Sequence, residues 1–205
     1  MKIYTIGHSN YTIEKLINML RKFNIDCVVD IRGIPYSKYN IQFDKETIRY
    51  LLTKAGFKYI YMGEEFGANR LLGKESYNNE GFADFDKVIK EKPFKKGIER
   101  LKVGCNKGYK IVLLGAMQDP LRCHRSILLG RELINNGFEV KHILDDYLVI
   151  NQEEIERRLL KKYYPNRNQI SMDELLGLQK SEEELIVESY KKANREIGRR
   201  VEHLE

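Results

Sequence analysis

Three short clusters in the chain carry side chains able to move protons, attack an electrophile or hold an anion. They are His8 with Ser9, Asp30 with Arg32, and Cys123-His124-Arg125. His8 follows Gly7 where an apolar stretch ends. A neutral imidazole there can act as general acid or base near pH 7, or simply hydrogen-bond the turn. Ser9 suits a helix cap better than a nucleophile. Asp30 and Arg32 are two residues apart, so they share one side of an extended strand. Arg32 can grip a phosphate or carboxylate with two parallel N–H groups. Asp30 can orient His8 or a nucleophile, or pair with Arg32 as a structural ion pair.

Cys123-His124-Arg125 is the densest cluster. The pattern predicts that it opens a helix, where backbone N–H groups and the helix dipole favour an anion. Arg122, His124 and Arg125 would favour the Cys123 thiolate. Cys123 is then a nucleophile or an anion contact, unless it packs inward while Arg125 pairs with an acid. The segment is not a Cys-x5-Arg phosphatase loop, because position 129 is Leu and phosphate-wrapping glycines are absent. Anion binding is favoured over covalent catalysis. The catalytic candidates are therefore His8, Asp30 and Cys123. The substrate-binding candidates are Ser9, Arg32, Ser37, Lys38, His124 and Arg125.

Around these clusters, residues 32–40 mix Arg32, Tyr36, Ser37, Lys38 and Tyr39, a combination that suits a phosphate with a stacking ring or an ordinary turn-rich connection. Gly67-Ala68-Asn69-Arg70 is a weak lid candidate. His142 falls inside an apolar run and reads as a satisfied core residue. Asp145-Asp146 is a disfavoured metal pair, so no metal site and no cofactor is assigned.

The elements that must position these groups alternate between two periods. Apolar runs at 2–6, 27–31, 58–62, 109–114 and 138–144 read as strands. Helical stripes occupy 12–23, 44–55 and 82–103 (broken near Pro93), then 123–135 with Asn136-Gly137 as its end. Asp44 is a candidate cap, and residues 63–81 read as a long loop. Alternation of this kind implies an α/β fold: a mainly parallel sheet with helices on both faces. Right-handed crossovers put the loops after the strands at the sheet's carboxyl edge, where such sheets bind ligands. The three clusters meet there if their strands are close neighbours. The composition changes after Asn151. This divides the chain into an α/β domain over 1–150 and a helical C-terminal extension over 151–205, with helices at 152–163, 172–178 and 181–201. The extension packs on the core or mediates a homodimer.

The chain has 205 residues, enough for one buried core. It is 42% hydrophobic and 32% charged, which fits a folded chain, and no apolar run approaches the roughly 20 residues that span a membrane. With 36 basic against 30 acidic residues the net charge is +6, which suits either an anionic partner or a solvated surface of mixed sign. The three cysteines lack ligand spacing and point to a reducing, cytoplasmic setting.

In its order of short motifs the chain resembles the family called domain of unknown function 488. The resemblance rests on Thr5-Ile6-Gly7-His8-Ser9, Val29-Asp30-Ile31-Arg32 with Pro35 and Ser37, Gly56-Phe57-Lys58-Tyr59, Gly67, Cys123-His124-Arg125 and Val140-Lys141-His142-Ile143. It implies an α/β fold and enzymatic character without a defined reaction. The family pattern has a cysteine, a small residue and a glutamate where this chain has Gly115-Ala116-Met117. That departure removes a Cys–Cys redox pair and a neighbouring acid/base, and a second glycine is replaced by Ala68. The expectation is an enzyme acting on a phosphorylated or other anionic substrate such as a nucleotide or nucleic acid. The alternative is a non-catalytic nucleotide- or nucleic-acid-binding module.

Overall fold

The structure, a computed structural model, describes residues 1–68, 74–167 and 180–198. Among these, β1 (Lys2–Gly7), β2 (Cys27–Asp30), β3 (Lys58–Tyr61), β4 (Ile111–Gly115), β5 (Glu139–Ile143) and β6 (Val149–Asn151) form one sheet in the order β3-β2-β4-β1-β5-β6. The first five are parallel, and β6 runs antiparallel to β5. The sequence reading missed β6, because three residues are too few for an alternating pattern to register.

Both faces of the sheet are covered, as expected. Val28, Val112 and Leu114 face α1 (Ile13–Lys22) and α2 (Lys45–Lys54) through Leu16, Leu20, Ile48 and Leu52. Their strand neighbours Val29 and Leu113 point the other way, into a second cluster with Phe94, Ile98 and Leu101 of α5 (Lys92–Asn106). Period-two alternation thus sends successive residues of fully buried strands to opposite helical layers. Ile155 and Leu159 of α7 (Gln152–Tyr163) and Tyr190 and Ala193 of α8 (Glu182–Ile197) join this second cluster, so the C-terminal helices pack on the sheet. A capping box starts α8, with the Ser181 hydroxyl accepting from Glu184 N and the Glu184 carboxylate from Ser181 N.

Several local expectations need correction. Residues 63–81 are not one loop: α3 (Gly63–Phe66) and a 3-10 turn at Lys74–Ser76 lie within them. The break near Pro93 separates α4 (Phe85–Val88) from α5, and Pro93 sits in the first turn of α5, where its missing N–H is harmless. Thr12, not Ser9, caps α1, accepting from Lys15 N at 3.2 Å. Asp44 precedes α2, but its carboxylate accepts from Ser37 N (2.9 Å) and makes no cap bond. The stretch predicted as one helix from 123 is a 3-10 turn (Pro120–Arg122), a π-helical turn (Arg125–Gly130) and α6 (Arg131–Asn135). The helix predicted at 172–178 and part of the proposed lid at 67–70 lie outside the described residues.

Candidate functional site

The sheet order makes β2, β4 and β1 consecutive neighbours. Their carboxyl ends therefore bring the three clusters to one edge. The loops after β1 and β4 are zipped together there: His8 N donates to Gly115 O (3.0 Å) and Ser9 N to Ala116 O (2.8 Å). Gly7 has to be glycine for this join, since a Cβ would overlap the Met117 carbonyl and the Arg125 guanidinium.

A cleft of about 480 Å³ opens at this edge. Arg32 and Ile34 form one side, Arg122, Cys123 and His124 another, and Glu196 and Ile197 at the end of α8 a third. Of the sequence candidates, Arg32, Cys123 and His124 line it.

Cys123 and His124 form a pair. The Cys123 Sγ lies 3.9 Å from His124 Nδ1, and His124 Nε2 lies 3.1 Å from the Ile31 carbonyl. The carbonyl can only accept, so Nε2 carries a proton and Nδ1 is turned to the sulfur. Burial pushes the Cys123 thiol up. The hydrogen bond and charge of His124, and the Arg125 charge and backbone N–H, outweigh burial and bring the thiol down to about 6. Burial alone would lower His124, but Cys123 and the Ile31 carbonyl raise it. Each partner favours the charged form of the other, a thiolate facing a ring nitrogen. Cys123 has extended backbone angles (φ −136, ψ 137) and its carbonyl accepts from Ser126 N and Ile127 N, the N-cap position of the following helical turn, as expected.

Arg125 does not bind anions at the surface. It is fully buried, with Nη1 donating to Met117 O and Nη2 to Gln118 O (2.7 Å), and Nε has no partner. Burial draws its pKa down and the Cys123 charge raises it. The thiolate and the guanidinium are thus mutual counter-charges. Arg125 fixes the loop after β4 and supports the sulfur from behind.

Asp30 does not orient His8. It is fully buried and accepts from Arg32 Nε (2.9 Å), Arg32 Nη2 (2.6 Å) and the Tyr59 hydroxyl (2.7 Å). Arg32 Nη1 then lies 3.2 Å from His8 Nε2, and His8 Nδ1 lies 2.8 Å from Ser9 O. Arginine can only donate, so Nε2 accepts and Nδ1 holds the ring proton. Burial and the Arg32 charge bring the His8 pKa down to about 4. His8, stacked on Phe43 with centroids 4.1 Å apart, is a neutral brace for Arg32 and not a free base. Of the five N–H groups of a guanidinium, these contacts use three and the Tyr59 hydroxyl engages Arg32 as well, so the Arg32 side chain that lines the cleft is mostly committed.

Ser9 has a left-handed backbone (φ 48), and its hydroxyl donates to Asn10 Oδ1. The Ser37 hydroxyl accepts from Tyr39 N and Asn40 N, shaping a turn. Lys38 is exposed and, like Ser9 and Ser37, lies outside the cleft lining. His142 is a satisfied core residue, 2.8 Å from the Thr5 hydroxyl and 2.7 Å from the Gln152 amide oxygen. No metal-binding group of three or more His, Cys, Asp or Glu occurs among the described residues.

Sequence reasoning noticed Arg122 only as a neighbour of Cys123. It is exposed in the cleft, and its guanidinium has no hydrogen bond or ion pair among the described residues. Tyr59 was legible as part of a motif but not as a carboxylate donor. Nothing local marked Glu196 or Ile197, which reach the cleft only through the packing of α8.

The sequence profile of a family described as Domain of unknown function DUF488 matches residues 12–131. No curated protein and no solved structure matches the chain.

Proposed function

The chain belongs to the DUF488 family, and from that premise and the cleft geometry we propose that it is an enzyme using the Cys123 thiolate on a phosphorylated or other anionic substrate, such as a nucleotide or part of a nucleic acid. The carrying observation is the Cys123 Sγ–His124 Nδ1 pair at 3.9 Å, opening on a cleft that also holds Arg122 and Arg32. A thiolate is a competent nucleophile once its pKa falls to near ambient pH. Arg122 holds the anion, with the Arg32 charge beside it in the cleft lining. The sulfur forms a bond to the electrophilic atom as the bond to the leaving group breaks, and the leaving group takes the proton from His124 Nδ1. The now neutral His124 takes a proton from water as the water oxygen displaces the sulfur, which leaves as thiolate. Arg125 and the Asp30–Arg32–His8 chain hold the reacting groups in position. A cleft of this size fits a small molecule or one unit of a polymer.

A second reading, non-catalytic binding of a nucleotide or nucleic acid, draws on the loop beside the cleft. Tyr39 is 92% exposed, next to Lys38 and near Ile34 at the cleft wall. Exposed rings with adjacent cations suit base stacking on a phosphate chain. No helix among the described residues is long and apolar enough to cross a membrane. A cytoplasmic setting fits the three free cysteines. A homodimer through α7 and α8 is disfavoured in this reading, because their apolar residues face their own sheet.

The test is alkylation of Cys123 by iodoacetamide at pH 7, followed by peptide mass, with and without inorganic phosphate. Burial raises the pKa of Cys27 to about 11 and raises that of Cys105; Cys123 is 3% exposed and Cys105 is the more accessible thiol, so peptide mass assigns the alkylated site. The expected result is fast alkylation slowed by phosphate, with protection weakened in R122Q. Slow alkylation typical of an ordinary thiol, unaffected by phosphate, overturns the proposal. Binding of oligonucleotides unchanged in C123S, with no turnover, favours the second reading.

A further inference from the structure

We propose that Glu196 is the resident counter-charge of Arg122 and sets the affinity of the cleft for anions. This rests on the reading of the cleft as an anion site. The last turn of α8 brings Glu196 and Ile197 to the same cleft that Arg122, Cys123 and His124 line. The Arg122 guanidinium has no hydrogen bond or ion pair among the described residues, and a cation in that position draws the nearest mobile anion. The Glu196 carboxylate pairs with Lys162 of α7 and also feels the charge of Arg122. Its side chain is half exposed, so it is free to adjust when a ligand enters.

An incoming anion and Glu196 carry the same sign and face the same guanidinium. Binding therefore has to overcome Glu196, which lowers the affinity of the cleft for any anion. The C-terminal extension is in this way part of the binding site, contributing charge from a helix more than 70 positions away from Arg122 in the chain.

The experiment measures the inorganic phosphate concentration that halves the rate of Cys123 alkylation in the full-length chain. Glu196→Gln is expected to lower that concentration about two- to fivefold, the range for a half-exposed charge pair. The gain should shrink in an Arg122→Gln background, as a coupling cycle requires. Glu99→Gln removes another exposed charge, on α5 and outside the cleft lining, and should change nothing. Glu196→Asp, with a shorter reach, should fall between wild type and Glu196→Gln and serves if the latter fails to fold. Unchanged protection in Glu196→Gln, or an equal gain in Glu99→Gln, overturns the proposal while leaving the anion cleft standing. Absence of phosphate protection in wild type overturns both.

Discussion

The sulfur of Cys123 lies 3.9 Å from Nδ1 of its sequence neighbour His124, while Nε2 of the same ring reaches the carbonyl of Ile31, 93 residues away. The long-range contact decides what the short-range one means. With Nε2 committed as a donor, the ring can meet the sulfur only through Nδ1, and the pair becomes an acid and a base in register.

The first prediction concerns titration. Alkylation of Cys123 should rise with pH about a midpoint near 6. H124Q removes the proton and charge that lower it, so the midpoint should climb by at least about one pH unit, toward that of a free thiol. A wild-type midpoint at about 8.5, the value of an ordinary thiol, would refute the ion pair.

The second concerns Gly115. A Cβ added there would sit 3.0 Å from the Cys123 sulfur, close to the spacing of a carbon and the far sulfur across a disulfide. G115C should therefore form a disulfide with Cys123 under mild oxidation and lose iodoacetamide reactivity until reduced. Non-reducing peptide mass reads this directly. Persistence of two free thiols counts against the geometry.

Arg125 supplies the third. R125M leaves the carbonyls of Met117 and Gln118 unpaired and strips Cys123 of a counter-charge. The chain should lose about 2–4 kcal/mol of stability, and Cys123 should alkylate more slowly at pH 7 in the protein that remains folded. Denaturant melts and alkylation rates measure the two effects separately. A surface role for Arg125 would instead leave stability unchanged.

The fourth concerns Gly7. Its added Cβ would meet the Met117 carbonyl and the Arg125 guanidinium, both fixed by the contacts just described. G7A should cost about 2–3 kcal/mol by overpacking, whereas alanine at Gly104, where only the tip of Ile111 is near, should cost less. Equal melting points for the two variants would speak against the join between the loops after β1 and β4.

The fifth follows from two buried histidines. His8 and His142 are each held near pKa 4, chiefly by burial, against about 6.5 in the unfolded chain. The unfolded state therefore binds more protons between these values. Their contribution to stability is complete above about pH 6.5 and falls as the pH drops toward 4. Denaturant midpoints measured from pH 7 to 4 should decline, and H142Q should flatten part of the decline. A flat profile in wild type would exclude the burial of both rings as neutral species.

The amino-acid sequence by itself determined the elements and the residues of interest. Alternating apolar periods are local, and strand and helix interiors respond to neighbours within a few positions, so the parallel strands and the helical layers were legible, as were the clusters of side chains able to do chemistry. Glycine at 137, with φ +81, is an equally local end signal. The pairings were not. Arg125 and Arg122 are both arginines beside Cys123, and nothing in the local pattern says which is buried. That depends on the loop after β4 folding its carbonyls over Arg125. Asp30 was free to serve His8 or Arg32 until β3 brought Tyr59 alongside and fixed the carboxylate on Arg32. Glu196 became part of the cleft only because α8 returns to the carboxyl edge. Tertiary structure made these choices because a buried charge takes whichever partners the packing brings within hydrogen-bond reach, and those partners come from distant parts of the chain.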